Sequence, residues 1–153
     1  MAPELTGREW LLLLLGGRDG CAPLDPIRLM KGAFLVTEAL GKAGAVRPYT
    51  FRPYHYGPFS REVYHDLDAL VAEGLAERLY LPPAAYPSYC ISPAGSRRAE
   101  SLRTRAGSSW SDYVAALREW LDGRSFADLL RVIYRHYPQY ATATVLPHLV
   151  AQP

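Results

Sequence analysis

The stretch "LAERLYLPPAAYPSYCIS", residues 75–92, decides the fold prediction. Aliphatic and aromatic residues at its two ends favour two short β-strands, at about 76–81 and 88–91. The segment between them, "PPAAYP", is rich in proline, which cannot donate a backbone hydrogen bond and is typical of turns. We therefore predict a two-stranded antiparallel hairpin, called the wing below, which distinguishes this chain from a plain helix bundle.

Three helices are predicted ahead of the wing. Thr6 and Glu9 have the spacing of a capping box, just before five consecutive leucines. Asp25 followed by proline is typical of an N-cap and the first helical residue. Ser60 predicts the N-cap of the third helix. The predicted helices are 7–15, 26–42 and 61–74, with an extended segment at 48–57 between the second and the third.

Helical patterns resume after the wing. Ser92, Ser111 and Ser125 each precede an amphipathic segment and are predicted N-caps. The tail from 139 to 150 is expected to be helical in part, although Pro147 interrupts it. The predicted helices are 93–105, 111–121 and 126–136.

This order of elements is typical of a winged helix-turn-helix. The predicted fold class is mainly α with a small β wing (α+β), a winged helix-turn-helix with additional C-terminal helices. Residues 1–106 are the predicted winged helix-turn-helix domain, and residues 107–153 a C-terminal helical extension. The last two helices and the leucine-rich first helix offer more apolar surface than a small winged-helix core needs. The extension therefore either packs on the domain or forms the interface of a homodimer, which we favour.

Two aromatic motifs carry a resemblance to a known family. Residues 49–60 read "YTFRPYHYGPFS" and residues 63–75 read "VYHDLDALVAEGL", while "VIYRHYPQYA" follows at 132–141. Over residues 26–141 the chain resembles small prokaryotic winged-helix proteins, several of them phage-associated or regulatory, which share a Y-x-Y-G-P-F-S motif. The resemblance implies the winged-helix fold and no settled activity. The chain departs from a phosphate-gripping wing in one respect, since its wing loop has no Lys or Arg.

The charge pattern suggests double-stranded DNA as a partner. The net charge of +2 is small, but four arginines cluster within 97–105 and five acids within 61–77. Arg28 and Lys31 fall in the first turns of the second helix, where the helix dipole disfavours cations, so a phosphate partner would explain them. An ordinary solvated face is the alternative. The candidate DNA contacts are Arg28, Lys31, Ser60, Arg61, His65, Arg97, Arg98 and Arg105.

Acidic residues of the third helix favour a different function. A recognition helix in the major groove would bring Glu62, Asp66, Asp68 and Glu73 toward phosphates. For the fourth-helix arginines, salt bridges to acids of the same chain are the alternative to DNA. Two hypotheses therefore stand: a DNA-binding transcriptional regulator, or a winged-helix adaptor for a phage, defence or toxin–antitoxin protein partner that does not bind DNA.

The aromatic residues before the third helix have a structural and a functional interpretation. Phe59 and Tyr64 occupy the positions of a hydrophobic staple around Ser60. Gly57 is expected to let the chain pass close to its neighbours, held extended by the following proline. We expect the aromatics of 49–56 to cover the core; a stacking platform for a base or a ligand is the alternative.

Catalysis, metal binding and membrane insertion are not indicated. The four histidines have no helical metal spacing, and Cys21 and Cys90 are expected to be separate buried thiols. We therefore predict no enzyme, no cofactor and no metal. The longest apolar run is five leucines, against about 20 for a spanning helix, and no signal-peptide pattern is present. A cytoplasmic location is expected.

Overall fold

The computed structural model describes residues 2–18 and 22–150. This part of the chain is mostly helical, with two small antiparallel sheets of two strands each, and is therefore α+β. The α-helices are α1 (Gly7–Gly16), α2 (Pro26–Lys42), α3 (Arg61–Ala72), α4 (Pro93–Ala106), α5 (Ser108–Asp122) and α6 (Phe126–His136). The strands are β1 (Arg52–Tyr54), β2 (Gly57–Phe59), β3 (Ala76–Leu79) and β4 (Ser88–Ile91), and short 3-10 helices cover Pro138–Ala141 and Pro147–Leu149.

The first helix lies at the centre of the molecule. All five leucines of α1 are buried, although five consecutive residues point to every side of a helix. A helix that is apolar all round is a core helix. α1 packs against α2, α3, α4 and α5 and against strand β4, so its neighbours cover it on all sides.

Side-chain caps define most helix starts as predicted. Thr6 and Glu9 form the reciprocal capping box of α1, and Asp25 accepts the N–H of Arg28 at the start of α2. Ser92 and Ser125 cap α4 and α6 in the same way.

The predicted start of α5 is wrong. Helix α5 begins at Ser108 after Gly107, so Ser111 lies within the first turn instead of capping the helix. The Ser111 hydroxyl donates to the carbonyl of Arg103 in the last turn of α4. The angle between α4 and α5 is made at Gly107, whose φ of 88° favours glycine.

The wing is confirmed. Strands β3 and β4 pair antiparallel, from Ala76 opposite Ile91 to Leu79 opposite Ser88. Leu24 adds a β-bridge on the other edge of β4, through two backbone hydrogen bonds with Tyr89. The wing is thereby fastened to the loop that precedes α2.

The extended segment before α3 contains a second hairpin that the sequence analysis did not predict. β1 pairs with β2, and the chain turns at residues 55–56 between Tyr54 and Gly57. Gly57 has a φ of 89°, so the expectation of an extended conformation there is wrong. A Cβ at this position would also lie 3.2 Å from the Tyr134 ring, which confirms the expected close approach. The hairpin therefore requires glycine at this position both for its backbone and for its packing.

The C-terminal helices join the same core as the rest of the chain. The apolar side chains of α5 and α6, such as Val114, Leu121 and Ile133, are buried together with those of α1 and α2. The surplus apolar surface that favoured a homodimer is thus largely covered within one chain. Dimer formation stays a prediction.

No helix in residues 2–18 and 22–150 has both the length and the apolar character that crossing a membrane requires.

Candidate functional site

Arg28 serves an internal role. Its side chain is about one-quarter exposed and donates to the carbonyl of Leu121 (3.1 Å), in the last turn of α5, and to that of Arg124 (2.7 Å), just beyond the helix. It also forms an ion pair with Asp25 at the start of its own helix. Its guanidinium therefore supplies donors to carbonyls at the C-terminal end of α5.

Lys31 is buried, contrary to its predicted place on the solvent face of α2. Only 3% of the residue is exposed, and its Nζ donates to the carbonyl of Pro58 at 3.0 Å. Burial lowers the pKa of Lys31 from 10.5 to about 7, because a charged amine is disfavoured away from water. The prediction failed because hairpin β1–β2, which covers this face, was not anticipated.

Ser60 is also buried, and its predicted cap is only partly formed. It occupies the N-cap position of α3, but its hydroxyl makes no cap hydrogen bond. Its Oγ has no hydrogen-bond partner among the described residues. The staple is confirmed, since the rings of Phe59 and Tyr64 lie 5.8 Å apart. Packing more than hydrogen bonding therefore sets the start of α3, and Ser60 is removed from any DNA-facing surface.

Arg61 and His65 remain exposed at the N-terminal end of α3. The acids further along this helix are largely engaged by the chain itself. Asp66 accepts from the Tyr49 hydroxyl, Glu73 pairs with Arg8, and Asp68 pairs with Arg78. The acidic surface of α3 is therefore smaller than the sequence suggests.

Two of the α4 arginines converge on one carboxylate. Arg98 and Arg105 each place a guanidinium nitrogen 3.0 Å from Glu9 Oε2. Burial would raise the pKa of Glu9, but hydrogen bonds from Thr6 and Arg105 and the charge of Arg105 outweigh it, so this pKa is lowered. The intramolecular salt bridges that were the alternative to DNA contact are present here. Arg97 is exposed, and no ion pair of the described residues includes it.

The outer part of the wing is apolar. Tyr80 and Tyr86 are each 70% exposed and Leu81 is 46% exposed. The connecting residues from 80 to 87 contain no charged side chain. Isolated apolar residues are common on surfaces, but several together on one projecting hairpin mark a contact surface.

A cavity of about 520 Å³ lies between α2, hairpin β1–β2 and the wing. Its walls are largely aromatic, and Lys31 is the buried polar side chain among them. Tyr49 and Phe51, earlier in the same aromatic segment, do cover the core as predicted. Tyr54 and Tyr56 do not, and this cavity is the feature that sequence reasoning missed. The alternation of tyrosines in "PYHY" was its only signal.

A second cleft, of about 840 Å³, lies between the N-terminal segment and the chain after α2. Three of its four charged residues are paired within the chain, Arg105 with Glu9 and Arg47 with Glu38, while Glu4 is in no ion pair of the described residues. This cleft therefore offers a ligand fewer available polar groups than the aromatic cavity does.

Cys90 is half-buried, not fully buried as expected, with its sulfur 4.0 Å from Glu77 Oε2. Cys21 lies outside the described residues. Within 2–18 and 22–150, no group of three or more His, Cys, Asp or Glu is placed to hold a metal ion.

No protein-family model matches the chain, and no curated protein matches its sequence.

Proposed function

We propose that this protein is a non-enzymatic protein-interaction adaptor built on a winged-helix fold, and that its wing contacts the partner. The observation that carries the proposal is the exposed, uncharged wing with Tyr80, Leu81 and Tyr86. Exposed aromatic side chains are the commonest anchors of protein interfaces. A wing that binds DNA would be expected to offer phosphates Lys or Arg instead.

The order of elements supports the winged-helix assignment. Helices α1, α2 and α3 are followed by the wing. The β-bridge from Leu24 to Tyr89 places a third extended segment beside β4. One feature departs from a simple helix-turn-helix, in which a turn of 3–4 residues joins the two helices. Here hairpin β1–β2 occupies the connection between α2 and α3.

The burial and internal hydrogen bonds of most candidate DNA contacts also favour the adaptor. Lys31 and Ser60 are buried, and Arg28 is bound to carbonyls near the end of α5. Arg98 and Arg105 share Glu9. Lys31 and Ser60 would have to leave the interior before they could reach a phosphate, whereas Arg28, Arg98 and Arg105 each have part of the guanidinium engaged by an internal partner.

A pull-down from the native host with the double variant Tyr80→Ser/Leu81→Ser tests the proposal. Both residues are exposed and neither lines the aromatic cavity, so the fold and the cavity should be preserved. We expect the natural chain to retain a stoichiometric protein and the variant to lose it, as measured by mass spectrometry. Arg135→Ser, at an exposed position of α6, is the matched control and should retain the partner. Recovery of DNA without protein, or equal recovery by the wing variant, would reject the adaptor.

DNA binding is the second candidate, because Arg61, His65 and Arg97 are exposed and no ion pair of the described residues includes them. For this function we expect affinity for random duplex DNA to fall steeply with salt. Arg61→Ala should reduce the slope of log K against log salt by about one, the contribution of one phosphate contact. No binding to duplex DNA even at low salt would eliminate the regulator.

A further inference from the structure

The aromatic cavity has the size of a small-molecule site. Its volume of about 520 Å³ falls within the range of roughly 300–1,000 Å³ that is usual for ligand pockets. Five separate segments form it: the first turns of α2, hairpin β1–β2, the first turn of α3 with Tyr64, the wing and the start of α6. Its other main side chains are Lys31, Tyr54, Tyr56, Phe59, Tyr86 and Phe126.

Lys31 supplies the cavity with a buried cation that has hydrogen-bonding capacity to spare. An ammonium group carries three N–H donors, and the structure uses one of them on Pro58. No ion pair among the described residues includes Lys31. Asp25 lines the same cavity, but its carboxylate pairs with Arg28. The amine therefore lacks the carboxylate that normally accompanies a buried lysine.

Aromatic rings line the same cavity as Lys31 and reach the surface. Tyr54 stacks on His55 with ring centroids 4.1 Å apart, and Tyr56 meets Phe126 edge-on at 5.6 Å. Tyr54 and Tyr56 are each more than one-third exposed, and Tyr86 of the wing loop is more exposed still. Such rings present flat apolar faces on which a planar ligand can stack.

We propose that this cavity binds a small organic anion, an apolar or aromatic acid, whose carboxylate pairs with Lys31 and whose apolar body packs between the tyrosines. The cavity shares Tyr86 with the outer wing surface assigned to the protein partner, but Tyr80 and Leu81 do not line it. Variants at Tyr80 and Leu81 and variants at Lys31 therefore test the two assignments separately.

Binding of such an anion is coupled to a proton. Burial holds the pKa of Lys31 near 7, and a carboxylate beside the amine would favour its charged form. Affinity for an anion should therefore be greatest below pH 7 and fall as the free protein loses the Lys31 proton. The other titratable or charged groups that line the cavity are Asp25, Arg28, Tyr54, His55, Tyr56, Tyr64 and Tyr86.

The test uses the full chain with 2-naphthoate as the probe and 2-naphthamide as its neutral counterpart. Dissociation constants are measured by titration of backbone amide NMR signals. We expect saturable shifts around the β1–β2 hairpin and the first turns of α2, with the amide at least about ten-fold weaker, since an ion pair is worth more when it is buried. A pKa of about 7 for Lys31 implies about ten-fold weaker naphthoate binding near pH 8 than near pH 6.

Three variants identify the group responsible. Lys31→Met should reduce naphthoate affinity to that of the amide and abolish the pH dependence. Lys42→Met, at an exposed position of the same helix, should change neither. His55→Gln should also keep the pH dependence, which separates the effect of Lys31 from that of the histidine that lines the same cavity. Equal affinity for both probes, an unchanged Lys31→Met variant, or no saturable binding at millimolar concentration would overturn the proposal.

Discussion

Lys31 is a buried amine that forms no ion pair with a carboxylate of the described residues. Burial is the cause of its lowered pKa of about 7, and its one hydrogen bond goes to the carbonyl of Pro58. The neutral amine still has N–H groups, so it can also donate this hydrogen bond. The stability of the protein is therefore linked to the protonation of this single side chain.

We expect the free energy of unfolding to rise with pH between about 7 and 10.5 because of Lys31. In that range the unfolded chain holds the lysine proton and the folded chain does not, so raising the pH favours folding. Lys31→Met removes this contribution. Its stability relative to the natural chain should fall by a few kcal/mol from pH 7 to pH 10, since one pKa unit corresponds to about 1.4 kcal/mol.

Chemical denaturation across this pH range checks the prediction. Lys42→Met is the matched control, because it makes the same change in the same helix at an exposed position. Parallel stability curves for Lys31→Met and the natural chain would contradict the burial of an uncompensated amine.

At the scale of elements, arginines of one helix donate hydrogen bonds to carbonyls at the C-terminal end of a neighbouring helix. Arg118 of α5 is 4% exposed and donates to the carbonyls of Leu14 and Leu15 in the last turn of α1. Arg103 of α4 donates to the carbonyl of Gly17, just beyond that turn. Arg28 of α2 donates to the carbonyl of Leu121, in the last turn of α5. The last carbonyls of a helix have no partner within the helix, so these contacts both cap the helices and fix how they pack.

Arg118→Met should lower the free energy of unfolding by about 3 kcal/mol or more. At least two buried carbonyls of α1 would lose their donor, and each unsatisfied buried group costs about 1–3 kcal/mol. Thermal and denaturant unfolding measure the change. Arg131→Met, at an exposed i,i+3 pair with Asp128, is the control, for which a change of less than about 1 kcal/mol is expected. Similar losses for both variants would show that the α1–α5 junction does not depend on this cap.

At the scale of the whole molecule, α1 needs the C-terminal helices as much as the wing. α5 packs against α1, α2 and α4. The approach is close at Gly32, where an added Cβ would lie 2.5 Å from Leu14 and 2.9 Å from Leu121. Residues 107–153 were predicted to pack on the domain of residues 1–106 or to form a dimer interface, and this division stays a prediction. In the structure, α5 and α6 share one buried core with α1 and α2.

We therefore expect a fragment of residues 1–106 not to fold cooperatively. Removal of α5 would expose one side of the buried leucines of α1 and leave its last carbonyls without Arg118. Burial of each such side chain contributes roughly 1.5–3 kcal/mol, which is large against a total stability of 5–15 kcal/mol. Amide NMR dispersion and the sharpness of thermal unfolding test this against the full chain. Well-dispersed amide NMR signals and cooperative thermal unfolding of the fragment would support residues 1–106 as an independent domain.

The sequence predicts those parts of the fold that local chemistry controls. The capping box at Thr6, the Asp-Pro start of α2 and the turn residues of the wing each act within a few positions of one another. α5 was placed wrongly because Ser111 has the residue type of an N-cap, whereas its hydroxyl bonds to a carbonyl of the preceding helix. Among the candidate site residues, exposure was predicted correctly for Arg61, His65 and Arg97, which lie on faces without packing partners.

Helix order, the N-caps of α1, α2, α4 and α6 and the wing hairpin were thus determined by the sequence by itself, because propensity and capping depend on near neighbours. The burial of Lys31, the internal use of Arg28 and the aromatic cavity were decided only by the tertiary structure. A lysine or arginine on an amphipathic helix faces solvent unless another element covers it, and here hairpin β1–β2 covers Lys31 while the end of α5 binds Arg28. Those partners are 27 and 93 residues away along the chain, a separation at which no local pattern reports a contact.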